Sequence, residues 1–504
     1  MKYILLILIA LSLANCFFKP NSTDQYDEQK LQNDQKFAFT PVHKSYNVEK
    51  TANPINSGIY ICDQAKRQNI LKSGNIKIFA EQNREKIKNF AHRMNTEEIF
   101  KKQNVFKQML DAKPTEVINM NGSPEFFARL KIQAQKKADL QNKINQVDFN
   151  ARAPLHPFHT DFFFSPLFTP DAFEFLINNR QLVLEVFPDV NQCTINTFTV
   201  APNQYAYGVH NDVAIGFAFA NAIKNSEVLP NKYYGFHTAL GHEIIDGKLN
   251  QPFNIFEKIP SKSYTPYYAY DHIRRNADNY EEIQDELEAA VYIRYHPNEV
   301  DQFISAGNYI QTKMIESDYC RLSNQEDAHG TVWPLAPGQA LYFDTYKYHG
   351  GLLHKADEYR TTVNMKCTDQ YKPFSKETIE QEINLINPNF FQSQVINNKN
   401  ADCLFKIFGY EDTNDFLKLF FGDKYEEGKT SLKDIPEMHS GIFGYEMRNE
   451  ERINFIYEGI KRHNERNKAF FEQDEYQISD EVLQCMEQYY EDAYQKEEHK
   501  HVEL

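Results

Sequence analysis

The chain has 504 residues, 41% of them apolar and 25% charged, which permits a buried core and argues against wholesale disorder. A chain of this length suggests about two to three domains. Its formal net charge of −15 gives no general attraction for phosphate backbones, so nucleic acid is not an expected partner.

The elements follow in chain order. Residues 1–16, MKYILLILIALSLANC, carry one early lysine, an apolar run from Tyr3 to Leu13 and small Ala14. That is the form of a secretory signal peptide, with an N-terminal anchor and a lipoprotein as alternatives. No later stretch reaches about 18 apolar residues, so no membrane span is expected after signal cleavage. Residues 17–150 begin as a polar leader rich in Asn, Gln, Lys and Asp and turn helical near Asn69. Ile87, Phe90, Ala91 and Met94 fall at i, i+3, i+4 and i+7, one stripe of an amphipathic helix, and FFARLKIQAQKKADLQNKINQV continues in that style.

Residues 151–370 hold most of the short β-branched and aromatic runs. LVLEVF, CTINTFTV, VAIGFAFA, AAVYIRYH, GQALYFDTY and YRTTVNMKC read as strands, and a segment at about 232–288 reads as an insertion. Short strands without regularly alternating helices point to a sandwich or jelly roll. Residues 371–504 turn helical again: Ile453, Ile456 and Ile460 share one face, and Val482, Leu483, Met486 and Tyr490 another. The last four residues, HVEL, resemble an endoplasmic-reticulum retrieval signal; with a signal peptide they favour that lumen over secretion. Beyond Cys16 six cysteines remain (Cys62, Cys193, Cys320, Cys367, Cys403 and Cys485), an even number that permits disulfides in an oxidising compartment without revealing their pairing.

The chemistry gathers around histidine. Two histidines and one carboxylate on one face of Fe(II) leave three positions open for co-substrate and dioxygen. A His-x-Asp triplet in an extended segment supplies two of these ligands, because side chains at i and i+2 point the same way. The chain has two such triplets, His159-Thr160-Asp161 and His210-Asn211-Asp212, and the second has the better context, between a Tyr-rich approach and an apolar run. In WPLAPGQALYFDTYKYHGGLLHKADEYRTTVNMKC, Pro337-Gly338 predicts a turn and His349 falls at a second turn. Arg360 opens the next strand, eleven residues after His349, with Thr362 and Asn364 on its face. His354 is a weaker candidate ligand. His237, His242 and Glu243 raise a second metal site, with loop polar groups as the plainer reading, and His329 reads as a loop residue. The aromatic runs YTPYYAYDH and DFFFSPLF read as core, with a substrate groove as the alternative.

APNQYAYGVHND and PGQALYFDTYKYHGG…YR resemble the two motif segments of Fe(II)/2-oxoglutarate-dependent dioxygenases, in particular prolyl hydroxylases and relatives of phytanoyl-CoA dioxygenase. The resemblance implies an α+β protein with a central double-stranded β-helix (jelly roll) and helical N- and C-terminal flanks. It implies His210, Asp212 and His349 as iron ligands, Arg360 as the anchor for 2-oxoglutarate, and Tyr205 or Tyr207 as an added hydrogen bond to it. The cofactors it implies are Fe(II), 2-oxoglutarate and ascorbate. The carboxylate of Asp212 argues for hydroxylation rather than halogenation. The implied substrate is a protein side chain or a small molecule of the secretory pathway. The rival from another class is a non-catalytic lumenal or secreted β-sandwich that binds or supports.

Overall fold

The computed structural model describes residues 54–98, 100, 107–109, 113–148, 170–200, 209–212, 232–245, 248–249, 253–259, 261–263, 265–296, 300–320, 328–351, 359–369, 402, 405–435, 445–474, 479–482 and 484–485. The chain divides into two compact units, Met1–Val42 and His43–Leu504, and every described residue lies in the second. The signal peptide, the His159/Asp161 triplet, Tyr205, Tyr207, His354 and the HVEL tail therefore lie outside the described residues.

Strand β1 (Ile55–Tyr60) leads into helices α1 (Ile61–Gln82) and α2 (Arg84–Thr96), then strands β2 (Lys107–Met109) and β3 (Glu116–Asn119). Helices α3 (Pro124–Asp148) and α4 (Pro170–Val186) precede strands β4 (Gln192–Val200), β5 (Tyr233–Ala239), β6 (Ile244–Ile245), β7 (Lys248–Leu249), β8 (Phe253–Ile255) and β9 (Ser261–Ser263). Helices α5 (Pro266–Asn276), α6 (Tyr280–Tyr295) and α7 (Val300–Ile315) follow, and α7 ends in a π-helical turn, Glu316–Cys320. Strands β10 (His329–Val332), β11 (Gln339–Asp344), β12 (His349–Gly351) and β13 (Arg360–Thr368) come next. Helix α8 (Thr413–Phe421), strand β14 (Tyr445–Glu446) and helix α9 (Glu450–Arg466) complete the main elements.

Two antiparallel sheets dominate this α+β arrangement: a six-stranded one in the order β14-β4-β13-β5-β11-β3 and a four-stranded one in the order β1-β10-β8-β12. They face each other. Val117, Ala239, Leu341 and Phe343 of the larger sheet share an apolar cluster with Phe253 and Ile255 of the smaller. Each fully buried side chain of this size removes apolar area worth about 1.5–3 kcal/mol, and that burial holds the sheets together. Close approach sets one detail. A Cβ on Gly235 would lie 2.7 Å from the Phe343 ring, so only glycine lets that ring cross β5. At the expected Pro337-Gly338 turn, Gly338 takes φ +82°, open to glycine, and leads the chain into β11.

The outer face of the larger sheet is covered by helix. Tyr342 points away from the inter-sheet cluster, stacks on Phe236 at 4.6 Å and donates from its hydroxyl to Val186 O of α4 at 3.2 Å. LVLEVF, expected as a strand, belongs to α4 up to Val186, and AAVYIRYH, likewise expected as a strand, belongs to α6 up to Tyr295. Both are corrections with one cause. A helix buried on most sides reads as an unbroken apolar run, as a buried strand does. The stripe Ile87, Phe90, Ala91 and Met94 does bury one face of α2, as expected, against Tyr292 and Ile293 of α6 and other residues of the same cluster. Tyr267 and Tyr270 of the aromatic run YTPYYAYDH are buried in that helical cluster and form core.

The expected insertion at 232–288 is corrected as well. Its first residues form β5, a central strand hydrogen-bonded to both β11 and β13, and Phe253–Ile255 pairs with β10 and β12. The helices that leave the sheets begin only at α5. The flanks are not purely helical either, since β3 and β14 provide both edges of the larger sheet. Two disulfides whose partners both lie among the described residues staple distant parts: Cys62 at the start of α1 to Cys320, and Cys193 of β4 to its register partner Cys367 of β13. Among the described residues no helix is long and apolar enough to cross a membrane.

Candidate metal centre

His210 and His349 come from remote parts of the chain and form an isolated antiparallel bridge. His210 N donates to His349 O and His349 N donates to His210 O, each at 2.8 Å. His349 was expected at a turn. It opens β12 instead, the turn having closed just before it, where Lys347 N donates to Asp344 O at 3.0 Å. Asp212 is set by its own backbone, its N donating to Thr345 O at 3.2 Å. Asn211, between the two, is clasped by α7: its N donates to Gln311 Oε1 at 2.8 Å and its O accepts from Gln311 Nε2 at 3.2 Å.

These backbones bring three side chains to one point. One ligand atom each from His210, Asp212 and His349 lies within 4.8 Å of the other two, and all three residues are buried. Nε2 of His210 is 3.3 Å and Nε2 of His349 is 3.5 Å from Asp212 Oδ1, with the imidazole centroids 4.5 Å apart. His349 Nδ1 donates to Lys347 O at 2.8 Å, which turns Nε2 toward the centre. Asp212 Oδ2 is buried with no hydrogen-bond partner. A buried carboxylate oxygen without a donor needs an explanation, and a bound cation supplies one. Two imidazole nitrogens and a carboxylate fit a divalent first-row metal with open positions.

Charge supports the arrangement. Burial alone would push the Asp212 carboxyl up. The Lys366 ammonium, 2.8 Å from Oδ1, together with His349 and His210, holds it well below the usual carboxylate range. On the apolar side, Phe343 and Phe253 lie 5.1 and 5.3 Å from the His349 ring.

Strand β13 runs beside the centre with Arg360, Thr362, Asn364 and Lys366 at alternate positions on one face. Arg360 begins the strand, as the sequence predicts, and is buried. Its Nη2 donates to His237 Nε2 at 2.7 Å and to Glu243 Oε1 at 3.1 Å. Because a guanidinium only donates, His237 Nε2 accepts, and its Nδ1–H donates to Asn364 Oδ1 at 2.6 Å. Burial and the neighbouring Arg360 hold His237 well below its ordinary pKa, so it stays neutral. Its free lone pair is thereby used. His237, exposed His242 and Glu243 do not converge, and the His210/Asp212/His349 set is the group among the described residues that could hold a metal ion. His329 is a strand residue opening β10, paired with Tyr60.

Lys366 and Gln311 were not singled out from sequence. Lys366 carried a usable signal, standing six positions beyond Arg360 on the same strand face; Gln311 carried none.

No protein-family model matches the chain, and no curated protein does. Solved structures similar to it include AviO1 from Streptomyces viridochromogenes Tue57, 13% identical, with a TM-score of 0.28 over 52% of this chain and 92% of that one. EvdO2 from Micromonospora carbonacea var. aurantiaca, complexed with 2-oxoglutarate, is 12% identical with a TM-score of 0.27 over 50% and 85% of the two chains. HygX from Streptomyces hygroscopicus, with nickel and 2-oxoglutarate bound, is 12% identical with a TM-score of 0.23 over 50% and 82%. Scores at this level carry no argument about the fold or activity of this chain.

Proposed function

We propose that this chain is an Fe(II)- and 2-oxoglutarate-dependent oxygenase built on a double-stranded β-helix, with His210, Asp212 and His349 as the iron ligands and Arg360 as the anchor for the co-substrate. One observation carries the reading: two histidines and an aspartate, buried together, with ligand atoms within 4.8 Å and one carboxylate oxygen left without a donor. Bound there, Fe(II) would supply the dioxygen chemistry that couples decarboxylation of 2-oxoglutarate to succinate with insertion of oxygen into a substrate C–H bond.

The chain's own residues provide the rest. The Lys347 carbonyl accepts from His349 Nδ1 and so orients the ring with Nε2 toward the centre. Asp212, kept ionised by Lys366 and the two imidazoles, brings the negative charge that favours a cation over water. Phe253 and Phe343 shield one flank from solvent. Arg360 presents a guanidinium edge suited to a carboxylate. Tyr205 or Tyr207 adds a hydrogen bond to the co-substrate in this reading. The reductant ascorbate would keep iron in its ferrous form.

Succinate release from 2-oxoglutarate, with iron and ascorbate, tests the reading. Wild type is expected to turn over and His349→Ala to fall to background; equal turnover by the two would remove His349 from the mechanism. The same reading places the protein in the endoplasmic-reticulum lumen, where it hydroxylates a protein side chain or a small molecule. The signal-peptide form, the HVEL terminus and the two disulfides support that compartment. Deleting the last four residues is expected to raise secretion, and unchanged retention would count against retrieval.

A further inference from the structure

Arg360 already holds a carboxylate. Its Nη2 lies 3.1 Å from Glu243 Oε1, and both side chains are buried. Glu243 is anchored at its other oxygen, where Oε2 accepts from Leu335 N at 3.2 Å, and at its backbone, where Glu243 N donates to Leu335 O at 3.0 Å. The guanidinium is nonetheless incompletely used. Arg360 Nε is buried with no hydrogen-bond partner, although Nε and Nη2 form the side-on edge that grips a carboxylate with two parallel bonds. Nη2 is taken by Glu243 and His237, and Nε is vacant.

We infer, resting on the oxygenase reading, that Glu243 stands in for the distal carboxylate of the co-substrate on Arg360. A 2-oxo dicarboxylate then binds by displacing it, which makes Glu243 a determinant of co-substrate affinity. Charge balance favours displacement. Arg360 and Glu243 form a neutral buried pair, and adding a second carboxylate beside an undisturbed Glu243 would leave a net negative charge in a water-poor site. A ligand carboxylate seated on both Nε and Nη2 satisfies the orphaned donor and returns the pair to neutrality once Glu243 has swung away. The backbone of Glu243 has no need to move, since Leu335 O holds it independently of the side chain. A 2-oxo acid without a distal carboxylate would leave the Arg360–Glu243 pair intact.

The test is calorimetric binding of 2-oxoglutarate to the full-length chain loaded with Mn(II), in wild type and Glu243→Gln, with pyruvate as the acid that lacks the distal group. Removing the competing charge is expected to tighten 2-oxoglutarate by roughly 10- to 100-fold, the factor of one hydrogen bond between charged groups. Pyruvate affinity and Mn(II) affinity are expected to stay as in wild type. Unchanged or weaker 2-oxoglutarate binding in a variant that still binds Mn(II) overturns the displacement while leaving the oxygenase reading standing. Failure of both proteins to bind Mn(II), or of both Mn(II)-loaded proteins to bind 2-oxoglutarate, overturns the reading and the displacement together. A mutation-free measurement covers the case of a variant that does not fold. In wild type the Leu335 amide, whose acceptor is the Glu243 side chain, is expected to exchange with deuterium faster when 2-oxoglutarate is added, and not when pyruvate is added. No change at that amide would overturn the proposal.

Discussion

His210 and His349 exchange both of their backbone hydrogen bonds, 2.8 Å in each direction, so the two imidazoles are placed as a cross-strand pair. The spacing of these rings depends on main-chain pairing rather than on the side chains that surround them. Asp212 is referenced to the same frame through Thr345, whose own N donates to Tyr233 O of β5 at 2.9 Å. The centre is therefore tied to both sheets, and to α7 through Gln311.

Gln311 is expected to act on the centre without touching it. Its amide satisfies both the N–H and the C=O of Asn211, the residue between His210 and Asp212. Gln311→Ala should lower Mn(II) affinity about 10- to 100-fold, the usual effect of losing a group that orients ligands. Gln311→Glu keeps the acceptor for Asn211 N and loses the donor to its O, so its affinity should fall between the two. Mn(II) titration of the three proteins checks the order. Equal affinities would mean that the loop keeps its shape unaided.

Lys366 is expected to stabilise the metal-free protein in particular. Its Nζ is 2.8 Å from Asp212 Oδ1 and balances a buried carboxylate. Lys366→Met should cost the metal-free chain about 1–3 kcal/mol, the range for a lost hydrogen bond to a charged group that leaves its partner buried. Mn(II) then replaces the missing positive charge, so the rise in Tm on adding Mn(II) should be larger in the variant than in wild type. An equal rise in both would contradict this.

His463 makes stability pH-dependent. It is fully buried among Phe408, Phe416 and Phe471, and its Nδ1 lies 2.6 Å from the Tyr410 hydroxyl. Burial, with Arg466 beside it, pushes its pKa down to about 3. The folded pKa is depressed, so between about pH 6.5 and pH 3 the unfolded chain takes up the proton first. Stability from this group is full above about 6.5 and falls with decreasing pH. From pH 7 to pH 5 the loss should be about 2 kcal/mol. Urea unfolding of wild type and His463→Gln at the two pH values checks this; the variant should show a pH dependence weaker by that amount.

Cys193 and Cys367 face each other in the register of β4 and β13, with Cα atoms 4.1 Å apart, on the face of β13 opposite Arg360. Because the bridge joins the strand that carries Arg360 and Lys366 to its neighbour, Cys193→Ala with Cys367→Ala should cost about 2–5 kcal/mol. Mn(II) affinity should change little in the protein that remains folded. Chemical denaturation followed by metal titration separates the two effects.

The parts of the centre that could be read in advance are those whose chemistry is spelled by residue type. The convergence of His210, Asp212 and His349 was legible because a His-x-Asp pair has a fixed reach and a second histidine follows at a strand start. The Arg360, Thr362 and Asn364 face was legible because strands alternate with period two. Elements buried on most sides were not, as LVLEVF and AAVYIRYH show: where nearly every side chain faces protein, the polar half of the pattern that separates helix from strand is lost. The central position of β5 was hidden for a different reason. It pairs with β11 and β13, both more than a hundred residues later in the chain, and nothing local in YYGFHTA records those partners. The Glu243–Arg360 pair is likewise a product of topology.

The most direct test of the central claim is anomalous X-ray diffraction from a crystal of the full-length chain grown with Mn(II). The account predicts one strong peak bonded at about 2.0–2.3 Å to Nε2 of His210, a carboxylate oxygen of Asp212 and Nε2 of His349, and its loss in Asp212→Ala. A metal bound elsewhere, or no metal at these three residues with Lys366 still seated on Asp212, would contradict it.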